Sequence, residues 1–524
     1  MSDPQTLIRM QVMWNRLVAV VEEQAQALLR TAFGAVVREA GDLSAGVYDL
    51  EGRMLAQAVT GTPGHVNTMA MAVGHFLECF PVEAMRPGDV FFTNDPWLGT
   101  GHLFDFVVVT PAFRNGTIVA LFASTCHLTD VGGRGFTAEA SSVLEEGVRF
   151  PIMKLRDEGR IRGDLIAILE ANSRNAVEAR GDLLSLVSCN DVGCERLCGM
   201  MDELGVERIE PLAAFIFERS GAATREAIRK LPNGRYRHHM DLDGWDFPVR
   251  LEASMVIEDE RVIIDFAGSS KASRYGINSP KCYTDAYTIF GLKCLIAPHI
   301  PNNAASLAPF EVRAEPGSIV HPLDPSPVTA RHVIGQMLPD LAMGCLAEAV
   351  PGLAPGESAG SIWVLAMSSV HGRVAEDLSG GERFNTMNVA IGGMGARPGK
   401  HGLSATAFPS GVGAIPVEVT EHQSPLVFWR KELLEGSGGS GRWRGGDGQI
   451  IEIGSVDDRP FCVSAATFDR TAHPARGREG GSDGQTGAAR LASGAVLEGK
   501  GVHIVPAGDR LVVETPGGGG CGEG

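Results

Sequence analysis

A chain of 524 residues, at roughly 100–200 residues per domain, has room for two to four domains and a large buried core. With 44% apolar and 21% charged residues and no run near the ~18 consecutive apolar residues that span a bilayer, it does not read as a membrane protein. The formal net charge of −17 repels nucleic-acid phosphates and anionic lipid alike, and no basic patch reverses it, so neither nucleic acid nor membrane is an expected partner.

Glycine (66) and proline (29) are frequent enough to predict many turns in a strand-rich protein. Ten scattered cysteines predict reduced thiols, and Met1 to Met10 carry no basic segment leading into an apolar core, so a cytoplasmic location is expected. From Leu7 to Arg38 apolar residues recur at helical spacing, predicting an amphipathic helix with a break near Thr31. Leu43–Leu50 and Arg53–Ala58 read as strands around a Glu51-Gly52 turn, and His65–Phe80 returns to helical spacing. Asp89–Thr93, Phe106–Phe113 and Thr117–Thr125 read as strands, Asp164–Leu204 as mostly helix, Arg235–Phe266 as strands and Tyr283–Ala297 as a buried helix. Gly380–Gly448 is glycine-dense and polar, which predicts long ordered loops; short strands follow at Gln449–Ile453, Val502–Pro506 and Arg510–Glu514. The expected fold is α+β: a large multi-domain chain with mixed sheets, an N-terminal helix and long Gly-rich loops. A soft boundary falls near residue 230, giving an N-terminal α+β domain over 1–230 and a strand-rich C-terminal region over 231–524.

One pattern carries chemistry. Gly101-His102-Leu103-Phe104-Asp105 and Cys126-His127-Leu128-Thr129-Asp130 both contain His-Leu-x-Asp. Between them two strand-like segments flank Asn115-Gly116, the dipeptide preferred in a two-residue type I′ hairpin turn. If that turn sets the register, Asp105 faces Cys126 and Phe104 faces His127, and both motifs meet at the open end of one hairpin. Two imidazoles with one or two carboxylates suit a divalent metal such as Mn, Zn or Fe, able to activate water or polarise a carbonyl. Asp42 and His65 are candidates to join from neighbouring elements. The competing reading is a buried histidine that merely hydrogen-bonds a carboxylate and ties down a turn.

Other motifs are weaker. Gly436-Ser437-Gly438-Gly439-Ser440-Gly441 matches the dinucleotide fingerprint formally but is followed by a glycine-broken, strand-like stretch, and Gly399-Lys400 lacks the earlier glycine of a phosphate loop. Cys189, Cys194 and Cys198 fall on an amphipathic helical pattern, which favours packing over zinc. Arg331-His332 and Arg397 to His401 are basic stretches in an acidic chain and stand in reserve as attractors of an anionic substrate or intermediate.

At these residues the chain resembles the hydantoinase B/oxoprolinase family, which includes the B-type components of N-methylhydantoinase, the C-terminal half of 5-oxoprolinase and the alpha subunit of acetone carboxylase. The likeness runs through Arg30-Thr31-Ala32-Phe33, Asp42-Leu43-Ser44, the stretch Pro87 to Pro96, Gly101 to Asp105, His127 to Gly133, Glu145 to Arg149, Gly402-Leu403-Ser404, Ile415 to Glu418 and the closing Thr515 to Gly519. The resemblance implies metal ligands at His102, Asp105 and His127, with Asp42 also suggested, and a supporting place for Asp130. It implies that ATP is used by a hydantoinase A-like partner in a hetero-oligomer rather than bound here. The function then expected is the metal-bearing B-type subunit of an ATP-dependent hydrolase of a cyclic amide (hydantoin, lactam or 5-oxoproline-like ring), with Asp130 or His65 accepting a proton from water. The alternatives are a subunit of an ATP-dependent ketone carboxylase and a noncatalytic scaffold. Two positions depart from the family pattern, where a histidine is common at Cys126 and a proline at Phe104.

Overall fold

The computed structural model describes residues 4–360, 362–371, 376–377 and 383–524. The fold is α+β, with several sheets and covering helices. The amphipathic N-terminal stretch forms α1 (Pro4–Thr31) and α2 (Ala35–Arg38). The break falls where expected, and the Asp182 carboxylate accepts the backbone N–H groups of Phe33 and Gly34 there.

Strands β1 (Leu43–Tyr48), β2 (Met54–Gln57), β3 (Val90–Thr93), β4 (Asp105–Arg114), β5 (Thr117–His127), β6 (Met153–Asp157) and β7 (Arg160–Ile161) form an antiparallel sheet in the order β2-β1-β5-β4-β3-β6-β7. Helix α3 (Pro63–Cys79) lies on one face with Val107, Val109, Leu121 and Ala123. Helices α1 and α5 (Ala176–Glu203), preceded by α4 (Gly163–Asn172), cover the other with Phe106, Val108, Phe122 and Cys126. Burial on both faces explains why β4 reads as a continuous apolar run instead of an alternation. Cys189 lies in this core, as the helical pattern predicts. Helix α6 (Glu210–Ile228) follows, in a stretch for which the sequence predicts no element.

The hairpin register differs from expectation by one residue beyond its tip. Asn115 and Gly116 both have positive φ, as a type I′ turn requires, and Arg114 pairs with Thr117 and Phe113 with Ile118 as the turn dictates. Between Ala112 and Phe113 the ladder then slips, because β5 carries one extra residue, Val119; Ala112 pairs with Ala120 and Asp105 with His127. A bulge of this kind reverses which side chains face each way from that point on. His127 therefore shares a face with Asp105, while Cys126 turns into the α1/α5 core.

A second sheet, β11-β10-β9-β8, is built from β8 (Gly234–Leu242), β9 (Val249–Glu258), β10 (Arg261–Asp265) and β11 (Phe310–Arg313), with β10 and β11 parallel. It packs with α7 (Lys281–Ile296) and α10 (Leu338–Ala349) around Leu251, Met255, Tyr287 and Leu341; the short α8 (Ala304–Leu307) and α9 (His332–Gly335) connect these elements. Beyond them two further sheets stack on each other. Strands β12 (Trp363–Ser368), β15 (Asn385–Ala390), β18 (Phe461–Ser464) and β20 (Val502–Val505) face β16 (Leu426–Leu433), β17 (Gln449–Ser455), β19 (Ala488–Leu491) and β21 (Leu511–Glu514) across Trp363, Leu365, Ile451, Phe461 and Val513. Two-residue strands β13 (Val370–His371) and β14 (Glu376–Asp377) pair with each other.

The expectation of loops over Gly380–Gly448 is corrected in part: residues 380–382 lie outside the described residues, but β15, α11 (Val417–Gln423) and β16 fall inside this stretch. Glycines of this stretch pack with those of the C-terminus. Gly517 to Gly520 run through a bundle of extended segments, and their N–H groups donate in turn to the carbonyls of Gln485, Gly446, Glu357 and Ser482 at 2.8–3.0 Å. Consecutive residues thus bond to different neighbours, as in extended helices with three residues per turn. A Cβ on any of the four would collide with a backbone carbonyl of an adjoining segment. Only glycine lets main chains approach this closely.

Candidate metal centre

Asp105 opens β4 and His127 closes β5, so the register of the hairpin sets them side by side. His102 stands one turn before Asp105, after Gly101, whose positive φ suits glycine. The ligand atoms of His102, Asp105 and His127 lie within 4.8 Å of one another, and all three residues are buried.

The carboxylate of Asp105 is used asymmetrically. Its Oδ2 receives Thr100 Oγ1 at 2.9 Å, His65 Nε2 at 2.9 Å and Arg331 Nη2 at 2.5 Å. Its Oδ1 faces two imidazoles, with His102 Nε2 at 2.7 Å and His127 Nδ1 at 3.2 Å. Burial alone would raise the Asp105 pKa, but His102, His65 and Arg331 outweigh it and hold the carboxyl well below its usual range. Arg331 is itself fixed by the Thr100 carbonyl at 2.8 Å and by the Tyr283 ring 4.0 Å below its guanidinium.

His102 has its Nδ1 on the Thr329 carbonyl at 2.9 Å, and a carbonyl can only accept. Burial, reinforced by Arg331, pushes the His102 pKa down to about 4, while Asp105 pulls the other way. A ring with one proton can serve the Thr329 carbonyl or the Asp105 carboxylate, 2.7 Å from Nε2, but not both. His127 Nε2 is buried with no hydrogen-bond partner. A divalent cation resolves both conflicts, and a histidine whose other nitrogen donates to a backbone carbonyl is the usual supported ligand. The donor set of two nitrogens and a carboxylate fits Mn, Zn or Fe.

The other expected site residues sort themselves by position. His65, on α3, lies between Asp105 and Asp42, with Nδ1 at 3.5 Å from Asp42 Oδ1; burial opposes its charge, but the two carboxylates prevail and raise its pKa. Asp42 lines the same cavity but stands behind His65 and accepts from Thr62 Oγ1 at 2.8 Å, outside the three-residue group. Asp130 is not brought to the cavity. Its carboxylate is occupied by the Arg174 backbone N–H, Nε and Nη2, and Arg174 also donates to the Gly132 and Gly133 carbonyls, so the pair anchors the 130–135 loop. Of His65 and Asp130, only His65 lines the cavity. Phe104, one of the departures from the family pattern, stacks on His127 at 5.4 Å and 11°.

A cavity of about 60 Å³ opens onto these groups. Residues that spacing in the sequence did not place there line it as well: Phe136, Tyr283, Gln336, and the reserve pair Arg331 and His332. The basic dipeptide was the one legible signal for them. Glu146 acts from further out, accepting the Val328 and Thr329 N–H groups at 2.7 and 2.9 Å and so fixing the carbonyl that holds His102. Gly436 to Gly441 join the glycine bundle and lead into β17 without a helix, so the dinucleotide fingerprint has no phosphate-binding context. No helix among the described residues is long and apolar enough to cross a membrane.

The Hydantoinase B/oxoprolinase family profile matches residues 6–524. The chain belongs to that family. Among relatives of the family, the 5-oxoprolinase PfmaA of Pestalotiopsis fici is 28% identical over 97% of this chain and 41% of its own length. A Pseudomonas protein, named as the putative B component of a D-/L-hydantoinase, is 26% identical over 92% of this chain and 83% of its own. The chain thus spans about two fifths of the length of the 5-oxoprolinases it matches. The same fold occurs in the ATP-dependent caprolactamase of Pseudomonas jessenii (TM-score 0.88, 23% identity, 100% of this chain and 91% of that one). Nucleotide-free acetone carboxylase shares it too (TM-score 0.81, 18% identity, 98% of this chain and 75% of that one).

Proposed function

We propose that this hydantoinase B/oxoprolinase family member is the metal-bearing B-type subunit of an ATP-dependent cyclic amide hydrolase, completing hydrolysis of an intermediate phosphorylated by an A-type partner in a hetero-oligomer. The observation that carries the reading is the buried group of His102, Asp105 and His127, whose ligand atoms lie within 4.8 Å of one another, in a family whose members include proteins named as 5-oxoprolinases and as a hydantoinase component. His102, Asp105 and His127 would hold the ion. When bound, a divalent metal supplies Lewis acidity toward an amide or imidate oxygen and acidifies water.

The chain's own residues do the rest. Arg331, Thr100 and His65 keep Asp105 ionised through Oδ2 and leave Oδ1 for the ion. Thr329 fixes the tautomer of His102. His65 takes a proton from water at Nδ1, where Asp42 stabilises the resulting imidazolium. Burial of these groups, all but the partly exposed Asp42, keeps bulk water from competing for the activated carbon.

Elemental analysis of the purified chain beside His102→Ala and His127→Ala is the direct test. Near-stoichiometric metal in the wild type and its loss in both variants is the expected result; a chain that takes up none of the three metals, or a metal-free complex with full activity, leaves the scaffold in its place. Phosphate release from ATP with a lactam in bicarbonate-free buffer separates the hydrolase from a carboxylase, which instead requires bicarbonate and a ketone.

A further inference from the structure

A second cleft, of about 650 Å³, lies between α1, the end of β2, α3, and the last turns of α7 with the 297–302 loop that follows. It shares no lining residue with the cavity at the metal centre. Most of its wall is apolar, from Trp14, Val18, Phe290 and Pro298, but three polar groups face the same space.

Lys293, on α7, is 6% exposed. Its Nζ donates to the Ile300 carbonyl at 2.5 Å, which uses one of its three protons. Burial lowers its pKa to about 8, so the ammonium form prevails at neutral pH, and no carboxylate among the described residues acts on it. A buried cation without a counter-ion is costly. Asn67, on α3, is 7% exposed. Its Nδ2 donates to the Ala286 carbonyl at 3.2 Å, and because a carbonyl can only accept, the amide is fixed with Oδ1 as the acceptor. That oxygen is buried and receives no donor, and the same holds for Gln57 Oε1 at the end of β2. One cation lacking an anion and two acceptors lacking donors thus meet, from three elements, in one apolar space.

We propose that this cleft binds an amino acid with an apolar body. The carboxylate pairs with the Lys293 ammonium, the ligand's own ammonium donates to Asn67 Oδ1 and Gln57 Oε1, and the hydrocarbon rests on Trp14, Val18 and Phe290. An inorganic anion would satisfy Lys293 and leave both amide oxygens unpaired, and a simple amine would do the reverse. A volume of about 650 Å³ is in the usual range for a small-molecule site. The assignment needs no metal and stands apart from the hydrolysis proposed above.

Isothermal titration calorimetry of the full chain tests this with leucine, 6-aminohexanoate, leucinamide and 4-methylpentanoate. The first two carry their charged groups close together and far apart, leucinamide lacks the carboxylate, and 4-methylpentanoate lacks the amine. The tighter of the two amino acids is expected to bind at least about tenfold more tightly than either truncated compound. Lys293→Met and Asn67→Ala should each weaken it by about as much, and His102→Ala should leave it unchanged. Lys293→Met removes an uncompensated buried charge and is expected to fold, and the comparison of ligands on the wild type stands if Asn67→Ala does not. Equal binding of a truncated compound, loss of binding in His102→Ala, or binding of none of the four overturns the assignment, and the metal content that decides the metal-centre reading is unaffected by any of these results.

Discussion

Two carboxylates show how the same chemical group acquires different tasks from its surroundings. Asp130 belongs to the second His-Leu-x-Asp copy, yet its oxygens are taken by Arg174. Asp130→Asn is expected to lower stability by about 1–2 kcal/mol, a discounted figure for an ion pair whose arginine is partly exposed, with metal content intact. Thermal melts beside elemental analysis check this, and loss of metal would return Asp130 to the site. Glu146 is buried, and desolvation pushes its pKa from 4.5 to about 7. A raised carboxyl pKa means the folded state prefers the proton, so the stabilising contribution is whole below 4.5, falls as pH rises toward about 7 and is gone above it. The shift corresponds to about 3 kcal/mol. Glu146→Gln should therefore flatten the fall of melting temperature between about pH 5 and about pH 8, and parallel curves for the two proteins would refute the assignment.

At the level of elements the site depends on the register of the β4–β5 hairpin. Deleting Val119 takes out the unpaired residue, so the turn-directed register then runs unbroken and still sets Ala120 opposite Ala112 and His127 opposite Asp105. Retained stoichiometric metal is the expected outcome by elemental analysis; its loss would show that the site needs the twist the bulge gives the hairpin. The turn itself was legible because Asn-Gly has a stereochemical reason to be there. The extra residue was not, since nothing in Val119 or its neighbours marks a slip that long-range pairing with β1 enforces. The break after Thr31, the α3 helix and the buried α7 were legible for the same local reason as the turn: period and punctuation lie in the segment itself. In the glycine-dense stretch, strand β15 is apolar enough to read as one, but its neighbours dominated the composition.

Across the whole molecule the site draws on residues that no spacing rule connects. His102, Asp105 and His127 were found from the sequence because one hairpin carries them; Arg331, His332 and Gln336 come some 200 residues later, and only the tertiary fold brings them to the same cavity. The glycine bundle is the extreme case, since it joins segments near 357, 394, 446, 482 and 518 mainly through main-chain bonds. Gly518→Ala should cost more than about 4 kcal/mol, because no side chain can yield to make room. Hydrogen exchange is expected to show protection lost across these segments and kept in the β4–β5 hairpin; unchanged protection would mean the bundle tolerates a methyl group.

That contrast in sequence separation also sets an order in time. The β4–β5 hairpin closes over a short span and can form early, whereas the bundle waits for Gly517 to Gly520 to meet partners as distant in sequence as Glu357. Sheet β15-β12-β18-β20, which lines part of the cavity at the metal centre, is assembled from the same late region. During folding His102, Asp105 and His127 would stand open to the surrounding solution until Val364, Met387 and Val389 close over them.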